Sequence, residues 1–301
     1  MKNYSVAIFG STLRNDYDKY SDKDLLIVAD SYKELDALKN KYSKDNWSIS
    51  FYTYSKLEYL SKSGNLFIKH LQKESEILID VDNKLDSILK GFKEKSNYKC
   101  DIKSSIKYFE ILKYVPNTQL GYAWYCDCLY VGLRNYLVFV NAKNGVFEFS
   151  FNKLLSILNK KRKINIDDIS LLKELRVIKR NYRENILTEL PSSEFIQKLI
   201  LVFKKLNISS STSLIESKEF QTKVEEKILR NNFNPYQKLR LVEGYYCSQN
   251  ENIPDIKKII SNPQFYALKL KNDEFTLSLI SKVKQHNKIP NTFVKHLSKT
   301  N

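Results

Sequence analysis

Short apolar runs, bounded by polar and turn residues, dominate the first third of the chain. Segments 5–9, 24–29, 47–54 and 76–81 are rich in β-branched and aromatic residues over strand-like lengths. Between them the apolar spacing becomes helical. Asp30-Ser31 supplies a cap for a helix over 32 to about 44. Ser55 starts a short helix that ends near Gly64, a second helix covers 66–73, and a turn at Asp82-Asn83 leads into a helix over 85 to about 94. Residues 1–95 are therefore predicted to be a small mixed sheet with helices covering one side, within an α+β chain.

From about Cys100 strand signals nearly vanish and 3.6-residue periodicity takes over. A long helix is predicted over 122–141, with Tyr122, Tyr125, Leu129, Leu133 and Tyr136 on one stripe. Such a stripe packs a core or, alternatively, stacks bases. Helices over 151–158 and 169–185 follow, then the break at Pro191 and a helix over 192–206 capped by Ser192 or Ser193. The run Asn207 to Ser213 reads as a linker. Residues 214–301 are again helical, punctuated by Pro235, Pro254, Pro263 and Pro290. The predicted organisation is thus a module at 1–95, an all-helical bundle at 100–206, and a helical segment at 214–301 that is either a third domain or an extension of the bundle.

The candidate chemistry lies between the first two strands. A Gly10-Ser11 turn closes the first strand, and Asp22 and Asp24 open the second. Side chains two positions apart on a strand face the same way. Two carboxylates on one face offer hard oxygen ligands to Mg²⁺, and a Gly-Ser turn offers N–H groups and a hydroxyl to phosphate oxygens. Together they suit phosphoryl or nucleotidyl transfer.

The stretch Val6-Ala7-Ile8-Phe9-Gly10-Ser11-Thr12-Leu13-Arg14, followed by Ser21-Asp22-Lys23-Asp24, resembles the signature of the DNA polymerase β-like nucleotidyltransferase superfamily. Asn15 stands where a glycine usually follows the arginine. The resemblance implies that Asp22 and Asp24 bind two Mg²⁺ ions and that Gly10 and Ser11 hold the triphosphate of a nucleotide, with Arg14 beside them. It also implies a third carboxylate from a neighbouring strand, but the polar face of segment 47–54 shows Ser48, Ser50 and Tyr52. The nearest acids are Asp45, Glu58 and Glu74. Glu74 lies in Phe67-Ile68-Lys69-His70-Leu71-Gln72-Lys73-Glu74, which resembles an element of nucleotidyltransferases from bacterial anti-phage defence. It is the candidate third ligand, or else a helix-surface charge beside His70. Length and the region from Ser50 to Asp82 also resemble that defence group, the Hailong-system enzyme that makes oligodeoxyadenylate among it.

Charge adds a partner class. The chain carries 50 Lys and Arg against 34 Asp and Glu, a formal net charge of +16. Such a surface attracts polyanions: nucleoside triphosphates, oligonucleotides or nucleic acid. Lysine outnumbers arginine, a bias that an AT-rich genome also produces. Two basic clusters stand out. Lys160-Lys161-Arg162-Lys163 is expected in a loop, as a solvated run or a polyanion contact. Arg176, Lys179, Arg180 and Arg183 recur on one helix face and either line a cleft or face solvent. No histidine follows Arg180 or Arg183 closely, which excludes a helical-ribonuclease motif. Cys100, Cys126, Cys128 and Cys247 are expected to be reduced and buried. His70, His286 and His296 are scattered and suggest no metal cluster. No apolar run of membrane-spanning length occurs and the first strand begins at once, so no membrane partner, no signal peptide and a cytoplasmic location are expected.

The leading expectation is a Mg²⁺-dependent enzyme that transfers NMP or dNMP from a nucleoside or deoxynucleoside triphosphate to a hydroxyl, making a nucleotide or oligonucleotide signal. Alternatives are a protein-nucleotidylating antitoxin acting on a toxin or effector protein, and a catalytically inactive nucleotide-binding module. A cationic drug acceptor fits poorly with so basic a protein.

Overall fold

The computed structural model describes residues 4–15, 17–18, 22–42, 47–162, 164–208, 212–229, 233–261, 278 and 281, the side chains of 39, 40 and 229 excepted. Ser21, Asp45, Lys163, the middle of the 207–213 linker, Pro263, Pro290, His286 and His296 lie outside the described residues.

The N-terminal module runs β1 (Tyr4–Phe9), β2 (Asp24–Ala29), α1 (Tyr32–Tyr42), β3 (Ser48–Thr53), α2 (Tyr54–Lys62), α3 (Leu66–Glu74), β4 (Ser75–Asp80) and α4 (Lys84–Lys90). The sheet order is β3-β2-β1-β4. β1 pairs antiparallel with β2 and β4, and β2 pairs parallel with β3, so the sheet is mixed as the sequence predicts.

Helices cover both faces of this sheet, not one. Leu35 and Leu38 of α1 pack with Val6, Leu25 and Ile27 on one face. Leu57 of α2, Ile68 and Leu71 of α3 and Leu85 of α4 pack with Ala7, Leu26 and Val28 on the other. The reason is legible in β2, where Leu25-Leu26-Ile27-Val28-Ala29 is apolar in both alternation phases, as a strand buried on both sides must be. A second correction concerns α2, whose cap is Thr53 and not Ser55: the Thr53 hydroxyl accepts from the Lys56 N–H.

The helical region runs α5 (Lys99–Tyr108), β5 (Tyr114–Pro116), α6 (Gln119–Ala142), α7 (Phe151–Arg162), α8 (Ile166–Arg183), α9 (Ser193–Leu206), β6 (Ser213–Ile215), α10 (Ser217–Leu229), α11 (Pro235–Cys247) and α12 (Pro254–Ser261). Ser192 caps α9 by accepting from the Phe195 N–H. The short parallel pair β5–β6 has no counterpart in the sequence reading. Lys160, Lys161 and Arg162 form the last turn of α7 and not a loop, which places their charge at the negative end of the helix dipole.

α6 is the axis of this region. Trp124, Tyr125, Cys126, Cys128, Leu129 and Leu133 are all buried, because other helices surround it. One apolar cluster takes in buried residues from α5 through α12, from Tyr108 to Ile259. Gly244 of α11 lets the two backbones approach: a Cβ there would lie 2.7 Å from the Trp124 ring. Cys126, Cys128 and Cys247 are buried, whereas Cys100 is exposed.

The same axis holds a buried charge cluster. Arg183 of α8 and Arg240 of α11 both donate to the Asp127 carboxylate, with Arg183 Nε 2.9 Å from Oδ1. Arg240 also pairs with Glu243 at 2.9 Å, and the Tyr182 hydroxyl donates to Glu243 at 2.9 Å. Burial alone would raise the Asp127 carboxyl, but Arg183 and Arg240 outweigh it and hold it well below the usual carboxylate range. This cluster pins α8 against α6 and α11, and α8 carries side chains that reach the sheet.

Candidate active site

The register of β1 on β2 creates the site. Phe9 pairs with Asp24, so Asp24 starts β2 beside the residue that precedes the Gly10 turn. On its other side Asp24 pairs with Ser48 of β3. Gly10 begins a tight 3-10 turn with φ +80, a left-handed conformation that glycine adopts without strain. It also has little space, since a Cβ there would lie 3.1 Å from Asp24 Oδ2. The Ser11 hydroxyl donates to the Asp22 carbonyl at 3.1 Å, which ties the turn to the acidic segment.

Asp22 and Asp24 face one cavity of about 340 Å³, together with Gly10, Ser11 and Arg14. Asp22 precedes the strand and does not lie within it. The far wall comes from the helical region: Arg134 of α6, Phe149 and Phe151, and Arg176 and Lys179 of α8. Among the described residues, four basic side chains share the cavity with two acidic ones, a balance that suits a polyphosphate. Lys179 Nζ donates to Asp22 Oδ2 at 2.6 Å. Arg176 forms a two-pronged pair with Asp18, at 2.9 and 3.0 Å.

The electrostatics differ between the acids. Burial and then the neighbouring Asp22 charge push the Asp24 carboxyl up to about 6, against the pull of Lys179, Ser48 and Arg134. Burial would lower the Lys179 ammonium, but its pairing with Asp22 and contact with Tyr130 carry it upward overall.

Glu74 is placed differently. Arg14 Nη1 donates to Glu74 Oε2 at 2.6 Å, and His70 Nε2 stands 3.0 Å from the same oxygen. Arg14 and His70 line the cavity, whereas Glu74 sits behind them. Burial, reinforced by Arg134 and Arg14, lowers the His70 pKa against the pull of Glu74, so the neutral ring donates its Nε2–H. Burial would raise the Glu74 carboxyl, but His70 and Arg14 outweigh it and lower it. The His70 ring stacks on Phe149 with centroids 4.6 Å apart, so the pair joins α3 to the helical region. Glu58 faces a separate surface groove. Ser48 and Ser50 line the cavity at the β3 edge where the sequence resemblance implies a third acid. Among the described residues, no group of three or more His, Cys, Asp and Glu gathers within metal-binding range.

The predicted basic stripe divides. Arg176 and Lys179 reach the cavity, Arg180 pairs with Glu184 at 2.8 Å, and Arg183 turns inward to Asp127. Arg134, Phe149 and Asn152 also line the cavity and were not singled out from the sequence. Arg134 sits off the apolar stripe of a helix read as core. A lone basic residue at that position was the available signal. Among the described residues, no helix is long and apolar enough to cross a membrane.

No curated protein and no solved structure matches the chain. Residues 1–78 match the family model described as a nucleotidyltransferase domain, and the mixed-sheet module that carries Gly10, Ser11, Asp22 and Asp24 is accordingly a nucleotidyltransferase domain.

Proposed function

We propose that the chain is a Mg²⁺-dependent nucleotidyltransferase whose reaction takes place in the Asp22–Asp24 cavity. The observation that carries this reading is the arrangement of one wall bearing two carboxylates and a Gly-Ser turn opposite a wall bearing Arg134, Arg176 and Lys179. The donor set fits the metal: both acids are hard oxygen donors, and the raised Asp24 carboxyl sits where a cation is favoured over a second bare charge. Asp22 and Asp24 would hold the ions, which when bound activate the attacking hydroxyl and stabilise the leaving pyrophosphate.

The chain's own groups do the rest. The Gly10 turn, free of a side chain, lets phosphate oxygens approach the backbone. Arg176, Lys179 and Arg134 offset the triphosphate charge. Lys179 exchanges its Asp22 partner for phosphate as the substrate enters. Glu74 and His70 hold Arg14 against the turn. The acceptor hydroxyl releases its proton to solvent as its oxygen bonds to the α-phosphorus, the bridge to the β-phosphate breaks, and pyrophosphate leaves with that electron pair. The strongly basic surface and the resemblance of the α3 segment to defence enzymes support a nucleotide or oligonucleotide signal of anti-phage type as the product.

A second reading, an inactive nucleotide-binding module, is favoured by one observation: among the described residues Asp22 and Asp24 are the acids that line the cavity, and Glu74 is engaged behind it. Incubation with each α-labelled NTP and dNTP plus Mg²⁺ separates the readings. Labelled nucleotide products with pyrophosphate release support transfer. A labelled protein band indicates protein nucleotidylation. Nucleotide binding without any labelled product supports the inactive module.

A further inference from the structure

The catalytic cavity shares the His70–Phe149 stack as a wall with further space beyond it. A second chamber of about 290 Å³ shares Phe67, His70, Arg134 and Phe149 with it, and adds Lys95, Asn135 and Phe139. A third, of about 200 Å³, continues from Asn135 and Phe139 to Tyr108 and Tyr236. The three chambers pass around α6, away from Asp22 and Asp24. Arg134 belongs to the first two, and Asn135 and Phe139 belong to the last two.

Flat aromatic faces recur from chamber to chamber, with Phe149 first, Phe139 next, and finally the Tyr108–Tyr236 pair, whose rings stack 6.1 Å apart. Cationic Arg134 and the amide of Asn135 lie between them, and Lys95 pairs at 2.9 Å with Asp101, which lines the second and third chambers. Aromatic rings spaced beside Arg134 and a row of amides suit a single strand, whose bases stack while its first phosphates meet the cation. A single nucleoside triphosphate has no use for chambers in series. The Tyr108 hydroxyl is an independent pointer: it is buried in the last chamber's wall and has no hydrogen-bond partner among the described residues.

We infer that this series of chambers around α6 binds the acceptor as a short single-stranded oligonucleotide, with its reactive end at Asp22 and Asp24. The inference rests on the nucleotidyltransferase reading for the reaction, but strand binding is measured without turnover. In the test, fluorescent single strands of about two to eight nucleotides, as DNA and as RNA, are titrated by anisotropy against the full chain without Mg²⁺. ATP and dATP binding is measured in parallel. The variants are Phe139→Ala, which removes one platform, and Asn135→Asp, which places a negative charge on an exposed part of the chamber wall. Affinity is expected to rise with strand length and then level off. Each variant is expected to lower the ratio of strand to triphosphate affinity about tenfold, within the range for one stacked base. A preference for DNA or RNA identifies the strand chemistry, and either supports the inference.

Strands that bind no better than a mononucleotide overturn the inference. So does strand affinity untouched by both variants, because general attraction to a surface of net charge +16 does not depend on Phe139. The two readings fail separately: absent pyrophosphate release refutes the transferase reading and leaves length-dependent binding standing, while robust release without length-dependent binding refutes the strand-binding inference alone.

Discussion

Replacing Asp127 by asparagine tests the physical coupling between the buried charge cluster and the site. Asp127 is fully buried, and two guanidinium groups donate to it. Arg240 is fully buried and Arg183 is 13% exposed, so solvent does little to screen either pair. In the cluster of Asp127, Glu243, Arg183 and Arg240 the charges balance two against two. The Asp127→Asn variant keeps the side chain's shape and removes one negative charge, leaving a guanidinium uncompensated. Breaking a buried pair from one side costs about 3–5 kcal/mol, which for a chain of this size lowers Tm by on the order of 10 °C. The pH dependence follows from the depressed Asp127 carboxyl. Because the folded pKa lies below that of the unfolded chain, the stabilisation is fully present above the ordinary aspartate value of about 3.9 and is lost as pH falls through the folded value. Thermal melts and urea titrations of both proteins should therefore show a constant gap from about pH 8 to pH 5, narrowing only below about pH 4. A Tm change under about 2 °C, or a gap that closes near neutral pH, would refute the reasoning. α8 carries Arg176 and Lys179, so the variant should also weaken triphosphate binding at temperatures well below its melt.

Three further outcomes follow from particular contacts. Gly10→Ala places a Cβ at φ +80 and 3.1 Å from Asp24 Oδ2; it should cost about 1–2 kcal/mol in a melt and lower kcat/KM for the triphosphate more than stability alone explains. Gly244→Ala drives a methyl into the Trp124 ring and should destabilise by about 1–3 kcal/mol, read from urea midpoints, with wild-type KM at low temperature. Glu74→Gln weakens the hold on Arg14 and should raise triphosphate KM severalfold without changing the Mg²⁺ concentration needed for half-maximal rate; a shifted Mg²⁺ requirement would make Glu74 a metal ligand.

Much of the N-terminal module was legible because its signals are local. The Gly-Ser turn, the two acids and the apolar run behind them sit within 19 residues, from Gly10 to Val28. The two covered faces of the sheet are equally present in β2, whose apolar residues fill both alternation phases, although the strand alone does not say what each phase packs against. The far wall was harder to read. Arg176 and Lys179 were found by their helical spacing, but spacing did not show that Arg183, one turn on, would turn to Asp127. That pairing depends on how α8 docks on α6, which brings Arg183 to an acid 56 residues earlier in the chain. Arg134 and Phe149 were missed for the same reason: their role depends on how α6 and the approach to α7 dock against α3. Glu74 illustrates the limit of pattern. Its i, i+4 relation to His70 was visible, whereas the Arg14 that occupies it comes from a turn 60 residues earlier.

The central claim, that Asp22 and Asp24 carry nucleotidyl transfer, is tested most directly by pyrophosphate release from the full chain with Mg²⁺ and a panel of NTPs and dNTPs, comparing wild type with the Asp22→Ala, Asp24→Ala double variant. The account predicts release by the wild type with at least one triphosphate, and loss of at least about a thousandfold in a double variant whose circular dichroism and melt stay close to wild type. Undiminished release by the folded double variant would contradict it.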